Sequence, residues 1–139
     1  MIIKITVPGE PQGKARPRLG NSRTYTPAKT KNYERLVAFM CRSQNADAVF
    51  APGAALTMDI RAYMAVPKSD TQTRRERKLS GVLRPTKKPD WDNIGKIISD
   101  ALNGIAYHDD AQIVDVRVRK YYTLSPRVEV EISEARRGV

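Results

Sequence analysis

Between Pro89 and Gln112 the chain gathers Asp90, Asp92, Asp100, Asp109 and Asp110 around one lysine, Lys96. The run reads Pro89-Asp90-Trp91-Asp92-Asn93-Ile94-Gly95-Lys96 and resumes at His108-Asp109-Asp110-Ala111-Gln112. Clustered carboxylates repel one another and cost free energy unless a cation or a bound proton offsets them. Hard oxygen ligands of this kind suit magnesium, with manganese able to substitute. The remainder of the chain is basic, with 25 Lys and Arg against 15 Asp and Glu and a formal net charge of +10. An acidic island in such a surface repels a polyanion by itself, and holds a phosphate once a divalent cation sits in it. Metal coordination also lowers the pKa of a bound water. The combination points to metal-dependent nuclease chemistry.

Each acid also has an ordinary use. Asp90 or Asp92 can cap a helix, stabilising it by about 1 kcal/mol. Asp92 and Lys96 stand four apart, the spacing of a helical ion pair of roughly 0.3–0.5 kcal/mol. Asp109 and Asp110 suit a turn. The three carboxylates of Asp90, Asp92 and Asp110 converge only if the chain beyond Gly104 folds back along the polar face of the intervening helix. Lys96 would then stand one turn into that helix on the same face.

Composition narrows the class. At 139 residues with 40% hydrophobic residues, one folded domain is expected. The positive balance calls for an anionic partner, and no basic amphipathic helix with a large aromatic face favours a membrane surface over nucleic acid. The candidate phosphate contacts are Lys14, Arg16 and Arg18, in a Gly/Pro-rich loop, and Arg74, Arg75, Lys87 and Lys88. The single Cys41 rules out an intrachain disulfide, and it is expected as a small buried residue on a helix rather than a nucleophile. The lone His108 and the absence of a CxxC pair exclude a His-rich or Cys-rich zinc site. No apolar run is long enough to span a bilayer and no signal-peptide core is present, so a cytoplasmic protein is expected.

The elements that must position these residues follow from periodicity. Ile3, Ile5 and Val7 alternate with Lys4 and Thr6 in a first strand, and a loop follows from Pro8 to Gly20. A short strand over Arg23–Thr26 leads to Pro27, which suits the first turn of a helix over Ala28–Ser43, with Thr26 as N-cap. Leu56, Met58, Ile60, Ala62 and Met64 alternate in a core strand. A short helix near Thr71–Leu79 and a mobile basic loop occupy the segment up to Pro89. Ile94, Ile97, Ile98, Ala101 and Leu102 share one helical face, opposite Asp92, Lys96, Ser99, Asp100 and Asn103, and Gly104 ends the helix. Val114, Val116 and Val118 alternate in a strand reaching Tyr122, and Val128, Val130 and Ile132 form the last. The order is α+β, a mixed or antiparallel sheet of about four strands with two to three helices packed on it.

The run from Pro89-Asp90-Trp91-Asp92-Asn93 through Lys96 and Asp100-Ala101-Leu102-Asn103-Gly104 to Asp109-Asp110-Ala111-Gln112-Ile113 resembles the signature of the RusA family of Holliday-junction resolvases. The loop from Pro8-Gly9 to Pro17-Arg18 and the run Tyr25-Thr26-Pro27 resemble that family as well, so the similarity covers most of the chain. The basic insertion before Pro89 departs from the pattern and concerns the DNA contacts. The resemblance implies a small magnesium-dependent homodimer, of a kind often encoded by prophages, that cuts four-way DNA junctions by paired symmetric incisions in recombination and repair. It places metal ligands at Asp90, Asp92 and Asp110, with Asp109 as a further candidate, and the essential lysine at Lys96. It gives Asp100 no settled role. Two alternatives share these residues: a flap or general branched-DNA nuclease, and a non-catalytic nucleic-acid binder whose acids are structural.

Overall fold

In the first strand, β1 (Ile2–Pro8), Ile3, Ile5 and Val7 point into the core and the residues between them face solvent, as the alternation requires. This is a computed structural model, describing residues 1–15, 18–20, 23–25 and 27–136, with only the backbone of 18–20 and 23–25. Short strands β2 (Arg18–Gly20) and β3 (Arg23–Tyr25) pair antiparallel, then α1 (Ala28–Asn45) begins behind Pro27. The expected cap Thr26 lies outside the described residues. After α1 come β4 (Leu56–Ala65), α2 (Gln72–Leu79), α3 (Trp91–Leu102), a 3-10 turn at Asp110–Gln112, β5 (Ile113–Thr123) and β6 (Arg127–Glu134).

The main sheet has four strands in the order β1-β6-β4-β5 and is mixed: β6 runs antiparallel to both β1 and β4, while β4 and β5 are parallel. A parallel pair needs a crossover, and α2, α3 and their loops supply it. On one face of the sheet α1 and α3 share a single core that joins Tyr33, Val37 and Cys41 to Ile94, Ile97, Ile98 and Leu102 and to the inward residues of β1, β4 and β6. The opposite face is an open, charged surface on which Asp59 takes Arg119 in a two-pronged bond at 2.8 and 2.9 Å. The expected α+β sheet and the burial of Cys41 are both present.

The two sheet edges differ. Along β1, Gln44 accepts from the amide of Thr6 and donates to its carbonyl, and Asn45 donates to the carbonyl of Lys4, so α1 side chains stand in for a further strand. At the β5 edge Val116 is 49% exposed because α3 leaves that strand partly uncovered, and Val114, 63% exposed, stands at a bulge with Thr57 and Asp115. The alternation of valines marks a strand there, but not a fully buried one.

The basic segment is fastened where a mobile loop was expected. Thr71 caps α2 through the amide of Arg74, and Lys78 is buried against Asp70 at 2.6 Å and over the ring of Tyr122. Arg84 lies 4.0 Å over the ring of Tyr121 and donates to the carbonyl of Lys120, whose ammonium donates to the carbonyl of Lys87. No helix among the described residues is long and apolar enough to cross a membrane.

Candidate active site at the start of the third helix

Helix α3 exists because its apolar residues recur at helical spacing and sink into the core, which leaves its polar face outward beside β5. Asp90 occupies the N-cap position, but its side chain makes no capping bond; only its carbonyl takes part, accepting from Ile94. Asp92 lies in the first turn, where the helix dipole favours a negative charge, and accepts from the amide of Asn93. Among the described residues no cationic side chain pairs with Asp90, Asp92 or Asp110. The ordinary uses that these acids could have had are therefore largely unfilled.

The chain beyond α3 folds back as the convergence requires. Gly104 takes a positive φ of 77° and its amide donates to the carbonyl of Tyr107. Tyr107 is fully buried, and its hydroxyl donates to the carbonyl of Ser99 at 2.6 Å, pinning the returning loop under α3. Burial, with the negative charges of Asp110 and Asp100 nearby, pushes that hydroxyl far above the usual phenol range.

Asp109 and Asp110 then separate in role. Asp109 caps the 3-10 turn by accepting from the amide of Ala111. Gln112 closes the turn: its Oε1 accepts from the amides of His108 and Asp109, and its Nε2 donates to the carbonyls of Ala51 and Ala54. Asp110, between them, lines a hollow of about 320 Å³ together with Asp92, Lys96 and Ser99. The floor is apolar, formed by Met58, Ile113, Val116 and Val118, and Trp91 stands at the rim, 66% exposed.

Asp90 faces the other way. It lines a neighbouring cleft of about 680 Å³ with Gly13, Lys14, Lys29, Lys88 and Asn93. Two residues along a helix turn through about 200°, so flanking a single Trp sends the two carboxylates to different sides. Among the described residues no three His, Cys, Asp or Glu side chains converge closely enough to hold a metal ion by themselves. Magnesium is usually held by one or two carboxylates together with waters and substrate phosphates. The carboxylates of Asp92 and Asp110, opening on one hollow, fit that ion in donor chemistry.

Lys96 pairs with Asp100 at 3.2 Å, not with Asp92. The other oxygen of Asp100 meets Lys14 at 3.2 Å, and Lys14 also meets Glu34 of α1 at 2.9 Å. Burial pulls the pKa of Lys14 down, but its hydrogen bonds to Glu34 and Asp100 outweigh that and hold it above the ordinary lysine value. Lys14, expected as a phosphate contact, thus has its ammonium engaged by two carboxylates. Arg16 and the side chain of Arg18 lie outside the described residues. Arg74, Lys87 and Lys88 are exposed, and Arg75 is half-buried.

Sequence reasoning gives no role to Gly13 or Gln112 and marks Tyr107 only as an aromatic residue for core packing or a dimer interface; all three hold the site in shape. A Cβ on Gly13 would stand 3.0 Å from the Cβ atoms of both Pro89 and Asn93, so only glycine lets the loop at 11–15 lie against the start of α3. The amide of Lys14 donates to the carbonyl of Asn93 at the same contact. The signal for Gln112 was its place in the Asp-Asp-x-Gln run; for Tyr107 it was aromatic character alone, which points to the core it does enter.

The sequence is similar to known proteins over most of its length. Residues 8–133 match the family model described as endodeoxyribonuclease RusA. A Bacillus subtilis (strain 168) protein named Uncharacterized protein YqaN is 40% identical over 138 residues, covering 95% of this chain and 96% of that protein. The matched range takes in the N-terminal loop, α1, both halves of the acidic run, β4, β5 and nearly all of β6. This chain belongs to the RusA endodeoxyribonuclease family.

Proposed function

We propose that this protein is a magnesium-dependent endodeoxyribonuclease that resolves four-way DNA junctions by paired symmetric phosphodiester hydrolysis, in recombination and repair. The observation that carries the reading is the opening of Asp92, Asp110 and Lys96 on one hollow, with both carboxylates free of cationic partners among the described residues. Asp92 and Asp110 would hold the magnesium ion, and Asp90 would join them as a third carboxylate only once its side chain turns from the adjoining cleft toward the hollow. Bound there, the ion would offset phosphate charge and lower the pKa of a water for in-line attack.

The residues of the chain do the rest. Asp110 is fixed by the Gln112 turn and Asp92 by α3, so the carboxylates stay in place without a substrate. The Lys96 ammonium neutralises charge that develops on the phosphate in the transition state, where a preorganised cation counts most. Lys87, Lys88, Arg74 and Arg75, with Arg16 and Arg18 of the N-terminal loop, form the surface that takes the DNA backbone. Cleavage leaves nicks with 5′-phosphate and 3′-hydroxyl ends.

A junction of approximate two-fold symmetry needs two matched cuts, and one acidic run per chain supplies one cut at a time. The protein therefore acts as a homodimer, the commonest closed assembly. Exposed Trp91 and Val116, which both line the hollow beside the β5 edge, are the apolar positions at the site for such an interface. Sedimentation should show a dimer; a monomer both free and on junction DNA would refute this.

The deciding experiment is cleavage of a synthetic four-way junction beside a linear duplex, with and without magnesium. The expected result is symmetric nicking of the junction alone, only with the metal, and its collapse in Asp90→Asn, Asp92→Asn and Asp110→Asn while junction binding survives. Equal cutting of flaps and junctions would make the protein a general branched-DNA nuclease. Binding without metal-dependent cutting would make it a nucleic-acid binder.

A further inference from the structure

Four charged side chains alternate in sign from inside the α1–α3 junction to the rim of the hollow. Glu34 meets Lys14 at 2.9 Å, Lys14 meets Asp100 Oδ2 at 3.2 Å, and Asp100 Oδ1 meets Lys96 at 3.2 Å. Side-chain exposure rises along the chain, from 19% and 20% at Glu34 and Lys14 to 23% at Asp100 and 58% at Lys96. We propose that Asp100 and Lys14 are positioning residues that hold the Lys96 ammonium over the hollow it shares with Asp92 and Asp110. This rests on the role of Lys96 in the proposed reaction.

An exposed lysine on a helix samples many rotamers, and an i,i+4 pair with the lysine first is the weaker order. A free Asp100 would restrain Lys96 little. Asp100 is not free, because Lys14 holds its second oxygen from the inner side. Lys14 is in turn fixed at both ends: its ammonium bridges Glu34 and Asp100, and its amide donates to the carbonyl of Asn93 at 2.9 Å. The contact of Gly13 with Pro89 and Asn93 seats the same loop against the start of α3. The restraint on Lys96 therefore originates in the N-terminal loop and crosses the helix junction through salt bridges.

The balance of charge explains why both inner residues matter. The inner three, Glu34, Lys14 and Asp100, carry a net charge of −1, which the ammonium of Lys96 at the rim offsets. Without Lys14, Glu34 and Asp100 face one another with no cation between them, and Asp100 turns outward. Without the Asp100 charge, Lys96 loses its ion-pair partner and Lys14 keeps only that of Glu34. A phosphate contact for Lys14 would require breaking this array, whereas a positioning role uses it as it stands.

The test is a double-mutant cycle in single-turnover cleavage of a four-way junction at saturating enzyme and magnesium. Asp100→Asn and Lys14→Met are each made in the wild-type and the Lys96→Ala backgrounds, with melting temperature and junction affinity measured for all. Each single change should lower the rate about 10-fold while affinity stays within about twofold, and Lys14→Arg should restore most of the loss. In the Lys96→Ala background the same changes should cost less than about twofold, because the residue through which they act is gone. An equal loss in both backgrounds would make the array merely structural and overturn the proposal, as would unchanged rates in the singles. If Asp100→Asn loses the fold on melting, Lys14→Met and Lys14→Arg decide alone. A second readout does not need activity: in ¹³C-lysine-labelled protein the Cε relaxation of Lys96 should report a restrained side chain that becomes mobile in Asp100→Asn and Lys14→Met. Unchanged relaxation refutes the positioning. A wild-type protein that cuts no DNA, yet shows this relaxation change, would refute the nuclease reading and leave the restraint on Lys96 standing.

Discussion

Replacing Gln112 with methionine keeps the length of the side chain and removes four hydrogen bonds at once, to His108, Asp109, Ala51 and Ala54. A typical internal hydrogen bond contributes about 0.5–1.5 kcal/mol net. Three of the four lie where water can replace them and one is partly buried, so a total of about 1–3 kcal/mol is expected. With about 2.1 cal/mol/K of unfolding entropy per residue over 139 residues, each kcal/mol moves Tm by about 3–4 °C. Gln112→Met should therefore melt about 3–10 °C below wild type by calorimetry. The effect on cleavage should be larger, because this side chain closes the turn that carries Asp110. A displacement of about 1 Å at a reacting group costs about 100-fold. The control is Asp110→Asn, which should abolish cleavage at nearly unchanged Tm, since no ion pair holds Asp110 among the described residues. A Gln112→Met protein that melts within about 1 °C of wild type would refute the hydrogen-bond argument. One that melts early but cleaves at the wild-type rate would show that Asp110 does not depend on the turn.

Other outcomes follow from the same geometry. Lys96→Ala should lower the single-turnover rate by about 100-fold or more with junction binding retained, comparable to losing one preorganised transition-state donor; a normal rate would reduce Lys96 to a surface ion pair. Replacing Lys87 and Lys88 together with alanine should flatten the slope of log affinity against log salt by about 1.8, whereas Lys14→Met should leave that slope unchanged; the reverse pattern would move the phosphate contacts to Lys14. Gly13→Val should destabilise by about 1–3 kcal/mol and weaken cleavage, because its Cβ would stand 3.0 Å from the Cβ atoms of Pro89 and Asn93 and force the loop away from α3; wild-type melting would refute the close approach. Burial pushes the hydroxyls of Tyr33 and Tyr107 upward, so the folded state keeps their protons to higher pH than the unfolded state does. That stability is complete below the ordinary tyrosine value of about 10 and is lost as pH rises toward the folded values, so the urea midpoint should fall above about pH 10. Tyr33→Phe should make that fall shallower; an identical pH dependence would refute the assignment.

The sequence by itself determined the parts of this protein that depend on local geometry. The apolar stripe of Ile94, Ile97, Ile98 and Leu102 has helical period, and the alternations of β1, β4 and β6 have strand period, so each element and its buried face can be read without neighbours. The acids at Asp90, Asp92, Asp109 and Asp110 and the lysine at Lys96 could be singled out for the same reason, because motif spacing is a property of the chain. Which of them meet was decided elsewhere. Only the return of the chain under Tyr107 brings Asp110 to the hollow of Asp92 and Lys96, and only the packing of the loop at 11–15 against the start of α3 builds the separate cleft that Asp90 lines. The three residues 124–126 between β5 and β6 suggest adjacent strands, yet β4 lies between them, which makes β5 an edge and leaves Val114 and Val116 exposed. Lys14 and Lys87 look alike as basic residues in loops, but one is held between Glu34 and Asp100 and the other is exposed. A lysine takes its role from the carboxylate that the fold places opposite it, and here Asp100 lies 86 positions along the chain from Lys14.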